Sequence, residues 1–354
     1  MIKDLEKLIE EAIADGAFPG ANYYLVADKD YYGSLGLKSH IEKTTNNLDT
    51  IYDLASVSKV VSTVTCIMLL LEQGKLRLYD SVSSYLPRFR FRNITVWDLV
   101  THTSGLKADV IAASKIRSKD ELLNQIYQAD LVYETNSKLI YSDIGFMLLG
   151  FIIEKVSGMS LAEFAKKNIF EPLDMVDTAY NPADLDRCAP TEMRDDELYK
   201  GYLRGKVHDE KAYILDGIAG HAGVFSTVRD LSNFIKMILN DGIYNGKRFL
   251  SKASIDKLFT PQVEEKNGLS LNNEKRSIGW IIGGSYPSCG DLASCETIHH
   301  TGYTGTNIFI DRKNKIGFTM LANRVHPTRD NIKIIPFRAK LGNYIISHFE
   351  GYKK

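Results

Sequence analysis

Ser56 and Lys59 stand three residues apart in the run Ser56-Val57-Ser58-Lys59. On a helix that spacing puts both side chains on one face, one turn apart. With the serine at the helix N-terminus, the amine reaches its hydroxyl. Burial and neighbouring positive charge then lower the lysine pKa, so that it serves as a base rather than as a solvated cation. The chemistry this allows is attack by a serine oxygen with transfer of its proton to the amine. The same spacing recurs at Ser104-Gly105-Leu106-Lys107 and at Ser254-Ile255-Asp256-Lys257, so spacing alone decides nothing. Surroundings separate the three. Residues 60–71 are apolar nearly all round, which marks a helix buried on every side and able to hold a nucleophile rigidly. Gly105 predicts a turn in the second copy, and the charged helix around Ser254 leaves Lys257 in solvent.

Tyr141-Ser142-Asp143 follows 85 residues after Ser56 and is the one Tyr-x-Asn or Tyr-x-Asp triplet in the chain. A phenol is a poor base unless a neighbouring cation favours its anion, and Lys59 is the candidate cation. Taken alone, the triplet reads equally well as a helix entry in which Ser142 or Asp143 caps the backbone and Tyr141 packs on the core. His300-Thr301-Gly302 lies 244 residues after Ser56 and is the one basic-hydroxyl-glycine triplet. On a strand edge it offers a cation, a hydroxyl and a residue without a side chain, suited to a substrate carboxylate and to close approach of backbone. The next amide, on Tyr303, would pair with that of Ser56 as an oxyanion hole. The plain reading is a strand and turn in which His299 and His300 alternate faces.

The elements that must position these groups are legible in the periodicity. A helix opens the chain, followed by strands at 21–27 and 31–37 joined by a turn at 28–30. Helical patterns follow at 59–73, 96–100, 119–128, 144–156, 161–169, 228–239 and 252–259. Gly74, Gly158 and Gly242 stand at their C-caps. Strand patterns return at 277–282, 297–301, 306–311 and 316–321, and 334–349 reads as a closing helix. Strands at both ends of a helical middle predict an α+β fold: one antiparallel sheet from the two termini, flanked by helices, with an all-helical subdomain inserted. The expected division is a sheet subdomain of about 1–55 and 270–354 and a helical subdomain of about 60–265, in one catalytic domain.

Composition narrows the function classes. The 354 residues carry 44 basic and 44 acidic side chains, a formal net charge of zero, which argues against a nucleic-acid partner. A chain this long buries roughly 75% of its unfolded surface, so it needs neither disulfide nor metal to fold. Cys66, Cys188, Cys289 and Cys295 are too scattered for a disulfide framework and are expected to be free, with a Cys289–Cys295 loop as the alternative in an exported protein. The N-terminus lacks an uninterrupted apolar core of a secretory signal, and the longest strongly apolar stretch, 66–71, is far short of the ~20 residues of a membrane span. The chain is therefore expected to be cytoplasmic if Met1 is its natural start; an exported protein stripped of its leader would begin the same way. His208-Asp209-Glu210 and His221 fit no zinc spacing, so no metal and no cofactor are expected. His102 is expected to stabilise its loop rather than to act as a base.

With Ser-x-x-Lys, Tyr-x-Asp and His-Thr-Gly in that order, the chain resembles the serine beta-lactamase and penicillin-binding protein superfamily, specifically its class C branch with esterase and peptidase relatives; the related triplet set of class A enzymes is Ser-x-x-Lys, Ser-Asp-Asn and Lys-Thr-Gly. The segments 98–106 and 220–227 look like the same branch, so the resemblance runs over nearly the whole chain. It implies a beta-lactamase/transpeptidase-like fold with a cleft between the two subdomains. It implies Ser56 as acyl-accepting nucleophile, Lys59 and Tyr141 as proton network, His300 and Thr301 at the substrate edge, and the amides of Ser56 and Tyr303 as oxyanion hole. Two positions depart. Asp143 stands where asparagine is usual, replacing an amide donor by an anion. His300 stands where lysine is usual, and a partly charged histidine predicts weaker, pH-sensitive carboxylate binding.

The expected activity is hydrolysis through a covalent Ser56 ester of an ester or amide substrate, such as a D-amino-acid peptide, a beta-lactam or a small ester. The two departures favour esterase or peptidase over dedicated beta-lactamase. The competing reading is a non-catalytic binding or sensor module that keeps the cleft, against which the retained Ser56, Lys59 and Tyr141 argue.

Overall fold

Both chain ends meet in one antiparallel sheet. The computed structural model describes residues 1–264, 274–283, 288–349 and 351. The nine strands, in chain order, are β1 (Gly20–Val26), β2 (Asp30–Ser39), β3 (Thr44–Thr45), β4 (Val263–Glu264), β5 (Lys275–Arg276), β6 (Ile281–Ile282), β7 (Thr297–Thr301), β8 (Asn307–Asp311) and β9 (Ile316–Ala322). Their order across the sheet is β4-β5-β6-β7-β8-β9-β1-β2-β3. The join between the termini is β9 against β1, with Ala21 opposite Ala322 and Val26 opposite Gly317. Every residue of β1 and of β9 is buried, because helices cover both faces there. On one face lie the helices Ile2–Ala14 and Ile334–His348, packing Leu5, Ile9, Leu341 and Ile345 with Leu25, Phe309 and Phe318. On the other lies the helix Val228–Leu239; Gly317 makes room for it, since a Cβ there would sit 2.3 Å from Ile235 Cγ2.

The α+β architecture read from the sequence is the one observed. Three local readings change. The strand expected at 277–282 is a hairpin, in which Ser277 N bonds Trp280 O at 3.0 Å and Gly279 takes φ +75° to make the turn. The helix 228–239, expected in the helical insert, lies on the sheet. A small three-stranded sheet, unread in the sequence, joins Tyr52–Asp53, Val224–Ser226 and Ala179–Tyr180. The subdomain limits expected near 265 and 270 lie outside the described residues. All four cysteines are free, Cys289 and Cys295 included. The helical run 55–72 has the length and apolarity to cross a membrane, more than the stretch 66–71 alone suggested, and 78% of it is buried inside the protein.

Candidate active site

Ser56 sits at the centre of a short 3-10 turn, Ala55–Val57, that feeds a wide helical turn, Lys59–Val64, and then the regular helix Thr65–Glu72. Wide turns of this kind are frequent at functional sites. Ala55 just before Ser56 has φ +47°, a left-handed conformation that a non-glycine residue adopts at a cost of order 1 kcal/mol. The fold holds it there: Ala55 N donates to Asp53 Oδ1 at 2.8 Å, while Thr304 and Thr306 hydroxyls donate to the carbonyls of Asp53 and Leu54 at 2.7 and 2.9 Å. Asp53 also accepts His208 N at 2.7 Å, and burial pushes its carboxyl up. The turn that carries Ser56 is thereby tied to the loop after β7 and to residue 208.

Lys59 is fully buried, and its ammonium donates to Ser56 Oγ at 3.1 Å and to the His221 carbonyl at 2.9 Å. The close approach of residue 221 follows from two glycines: a Cβ on Gly220 would lie 2.0 Å from the Phe146 carbonyl, and one on Gly150 would lie 3.0 Å from Gly220 N. Thr63 Oγ1 adds a 2.6 Å bond to Gly220 O, and Val224 N donates to Ser58 Oγ at 3.1 Å. The segment 220–227 is thus packed along the helix that carries Lys59 and Thr63.

Tyr141 and Asp143 flank the start of the helix Asp143–Ser157, whose N-cap is Ser142: its Oγ accepts Gly145 N at 3.2 Å. The capping and the chemical readings of this triplet hold together, because the cap is Ser142 and the two flanking side chains turn to Lys59. Lys59 Nζ lies 4.8 Å from the Tyr141 ring centre. It lies 2.7 Å from Asp143 Oδ1, an ion pair off the line of a hydrogen bond. Burial pushes the Lys59 ammonium down, but the Asp143 carboxylate and Tyr141 outweigh it, and the amine ends above the ordinary lysine value. This corrects the expectation of a lysine lowered into the range of a base: in the resting site Lys59 is a proton donor to Ser56. The overlooked factor was the anion at position 143. Burial pushes the Asp143 carboxyl up, and Lys59, His221 and Lys211 together bring it down to about 2.

His102 braces Tyr141. Its ring lies 4.8 Å from that of Tyr141 and 4.9 Å from that of Phe146, and its Nδ1 accepts Ser142 N at 3.1 Å. Burial, then the charges of Arg276 and Lys59, hold it well below the ordinary histidine value. It is a neutral wedge under the tyrosine.

His300, Thr301, Gly302 and Tyr303 line one cavity of about 510 Å³ together with Ser56, Tyr141, Arg276, Arg324 and Arg338. A larger cleft of about 690 Å³ beside Lys236 and Tyr244 has no nucleophile and amine in contact among its lining residues. His300 is 2% exposed, and burial followed by the charges of Arg276 and Lys59 keep it far below the ordinary histidine value. It is neutral, which corrects the expectation of a partly charged, pH-sensitive cation at this position. The positive charge comes instead from Arg276 on β5, missed in the sequence because nothing near residue 276 marks it as facing Ser56. Its guanidinium pairs with Glu274 and stands 5.4 Å from the Tyr141 ring centre. Its Nη1 is buried without a partner among the described residues. Arg338 spans the floor, donating to the Gly302 and Thr306 carbonyls at 2.9 and 2.8 Å, and burial with the nearby Arg324 lowers it to about 9. Tyr303, half exposed, stacks on His208 at 5.7 Å and under the Arg324 guanidinium.

Asp143, Asp209 and His221 gather ligand atoms within 4.8 Å of one another, a metal-like cluster. Two ammonium groups already neutralise it: Lys59 and Lys211 lie 2.7 and 3.1 Å from the two oxygens of Asp143, and Lys211 lies 3.1 Å from Asp209. The donor set therefore does not suit a further cation.

A serine hydroxyl, a buried ammonium, a phenol and a cationic cavity wall are the parts needed for acyl transfer through serine. Comparison with known proteins agrees. A family model described as beta-lactamase matches residues 5–343. A protein of Escherichia coli O157:H7, provisionally named a D-alanyl-D-alanine carboxypeptidase, is 32% identical over 370 aligned residues, 92% of this chain and 82% of that protein. The solved structure of EstCE1, a hydrolase with promiscuous acyltransferase activity, superposes with TM-score 0.77 at 21% identity, covering 96% of this chain and 98% of its own. A class C beta-lactamase from Rhodobacter sphaeroides gives TM-score 0.72 at 21% identity, covering 97% and 99%.

Proposed function

The chain belongs to the beta-lactamase family and is a serine hydrolase, and we propose that it uses Ser56 to cleave the terminal amide bond of a peptide ending in a free carboxylate, as a D-alanyl-D-alanine carboxypeptidase does. The observation that carries this reading is the joint placement of Ser56 and Arg276 on one cavity, the arginine having a buried Nη1 that no group among the described residues accepts from. A guanidinium recognises a carboxylate through charge-assisted, often paired hydrogen bonds. An unpartnered buried donor is costly until such a group arrives. The name of the Escherichia coli relative points the same way.

In the proposed reaction the Ser56 oxygen adds to the scissile carbonyl carbon, and its proton passes to the Tyr141–Lys59 pair. The amides of Ser56 and Tyr303 hold the resulting oxyanion. Collapse breaks the carbon–nitrogen bond, and the leaving amine takes the proton. Water then adds to the Ser56 ester, giving a proton to the same pair, and collapse frees the acid while the proton returns to Ser56. Lys59 begins as an ammonium that donates to Ser56 Oγ, so the acceptor in this reading is Tyr141 as its phenolate, which becomes the neutral phenol on taking the proton, the neighbouring Lys59 ammonium favouring that anion beforehand.

The test is release of D-alanine from an acyl-D-alanyl-D-alanine peptide, set beside the same peptide with its carboxylate converted to an amide. Faster release from the free acid is expected, with none from Ser56→Ala. Equal rates, or turnover confined to p-nitrophenyl esters, would return the protein to the esterase reading. A single stoichiometric acylation without turnover would favour the sensor module.

A further inference from the structure

Behind Ser56 the charged groups close into a ring. From Lys59 it passes through Asp143 Oδ1 to Asp143 Oδ2, and from there, at 3.1 Å, to Lys211 Nζ. Lys211 lies 3.1 Å from Asp209 Oδ2, and Asp209 Oδ1 accepts His221 Nε2 at 2.8 Å. The His221 carbonyl accepts the Lys59 ammonium at 2.9 Å and completes the circuit. Asp109 hangs on the outside, 2.7 Å from Lys211 and 42% exposed.

Local structure explains why Lys211 stays in place. It lies on the short helix Glu210–Ile214, whose N-cap Asp209 accepts the backbone amides of Lys211 and Ala212 at 3.0 and 2.9 Å. Lys211 itself is 5% exposed, so its ammonium has exchanged water for three carboxylates. A lone buried Asp143 would pair with Lys59 alone, and its full attraction would cancel the positive charge that Lys59 presents to Tyr141. Two cations on one carboxylate divide that attraction and repel each other across it.

We propose that Lys211 is a positioning residue for Ser56 acylation: by sharing the Asp143 carboxylate with Lys59, it fixes that carboxylate in place and keeps it from cancelling the Lys59 charge that favours the Tyr141 anion. In this way the chain accommodates an aspartate at position 143 without losing the Lys59 charge beside Tyr141. The groups facing Lys59 are Asp143, Tyr141, His102 and His300, with the Arg276 guanidinium beyond the two histidines; those facing Lys211 are Asp109, Asp143 and Asp209, with His221 beyond Asp209. Removing the Lys211 charge strengthens the Lys59–Asp143 pair. Removing the Asp109 charge returns Lys211 more fully to Asp143 and has the opposite effect.

The proposal rests on Ser56 being the acylated residue, and the experiment reads that step directly. The rate of Ser56 labelling by a fluorophosphonate is followed by intact-protein mass from pH 5 to 10 in the native protein, Lys211→Met, Lys211→Arg and Asp109→Asn. The acid-side midpoint of labelling is expected to rise by about one unit in Lys211→Met, slowing labelling about tenfold at pH 7. Lys211→Arg should restore most of the rate, and Asp109→Asn should move the midpoint down. A Lys211→Met protein that labels more slowly at every pH with an unmoved midpoint would reduce Lys211 to a structural residue and overturn the proposal. So would an upward or null shift in Asp109→Asn, which alone decides the matter if Lys211→Met does not fold. No label on the native chain would remove the Ser56 assignment itself, and this inference with it.

Discussion

Gly302 presses its backbone against Leu54, so closely that a Cβ on Gly302 would lie 2.4 Å from the Leu54 carbonyl oxygen. The contact sets the strand edge of β7 directly beside the turn that carries Ser56, and it brings Tyr303 to the same cavity. Gly302→Ala also meets the Thr306 hydroxyl at 2.1 Å, and it must push the two segments apart because the Leu54 oxygen is backbone and cannot swing away. Overpacking of this kind costs about 1–3 kcal/mol. The expected outcome is a lower melting temperature and a loss of Ser56 labelling larger than that stability change explains; a variant with native labelling would show that the strand edge does not set the nucleophile.

Lys59 holds Ser56 on one side and Asp143 on the other. Lys59→Ala removes the cation from a buried carboxylate and the donor from the nucleophile. Loss of one partner of a buried pair costs about 3–5 kcal/mol, and loss of the proton network lowers the rate by about 10²–10⁴-fold. Urea unfolding and fluorophosphonate labelling measure the two effects separately. A fold that loses stability while labelling at the native rate would exclude Lys59 from the chemistry.

Arg276 is expected to govern preference for an anionic substrate. A hydrogen bond to a charged group is worth about 1.5–3 kcal/mol. Arg276→Ala should therefore narrow the ratio of kcat/KM for the free-acid peptide over its amide by roughly 10- to 150-fold, with hydrolysis of a neutral ester changing far less. An unchanged ratio would place carboxylate recognition elsewhere on the wall.

Acid should weaken the fold through Asp143. Its carboxyl titrates at about 2, below the ordinary value of 3.8. A depressed carboxylate contributes stability that is present above the unfolded value and lost as pH falls toward the folded one. For this group the difference is about 2 kcal/mol, lost between about pH 4 and pH 2. Asp143→Asn lacks this titration, so the stability gap between the two proteins should close across that window in urea titrations. A gap constant with pH would contradict the assigned ion pair.

His300 is expected to contribute no charge to substrate binding. Burial and the neighbouring cations hold it far below 6.5, so the ring stays neutral as pH falls from 8 to 6. KM for the free-acid peptide should be flat over that range. A KM that improves toward pH 6 would mean the ring gains a proton, restoring the cation that the sequence alone suggested.

The three ordered motifs and the change of period along the chain were enough to read the α+β fold and to bring Ser56, Lys59, Tyr141 and His300 under suspicion. That was possible because each depends on local spacing: Ser-x-x-Lys is a turn of helix, and β7 is a five-residue run bounded by turn residues. The residues missed are of another kind. Arg276 is a two-residue strand away from any motif, and its place opposite Ser56 exists only because β5, β6 and β7 lie side by side. Lys211 and Asp109 are ordinary surface-type residues until folding closes them over Asp143. His208, Asp209 and His221 were noticed as a metal-like set and set aside, but their part in positioning could not be read.

Sequence by itself therefore determined the elements, the Ser-x-x-Lys segment and the order of the motifs, since local backbone preference and hydrophobic period are written in neighbouring residues. Only the tertiary structure decided the charges. The state of Lys59, His300 and Asp143 depends on which groups burial brings within a few ångströms and on the water that burial removes. Residues 102, 109, 143, 209, 211, 221 and 276 come from separate parts of the chain, and their fields add only once the fold has gathered them.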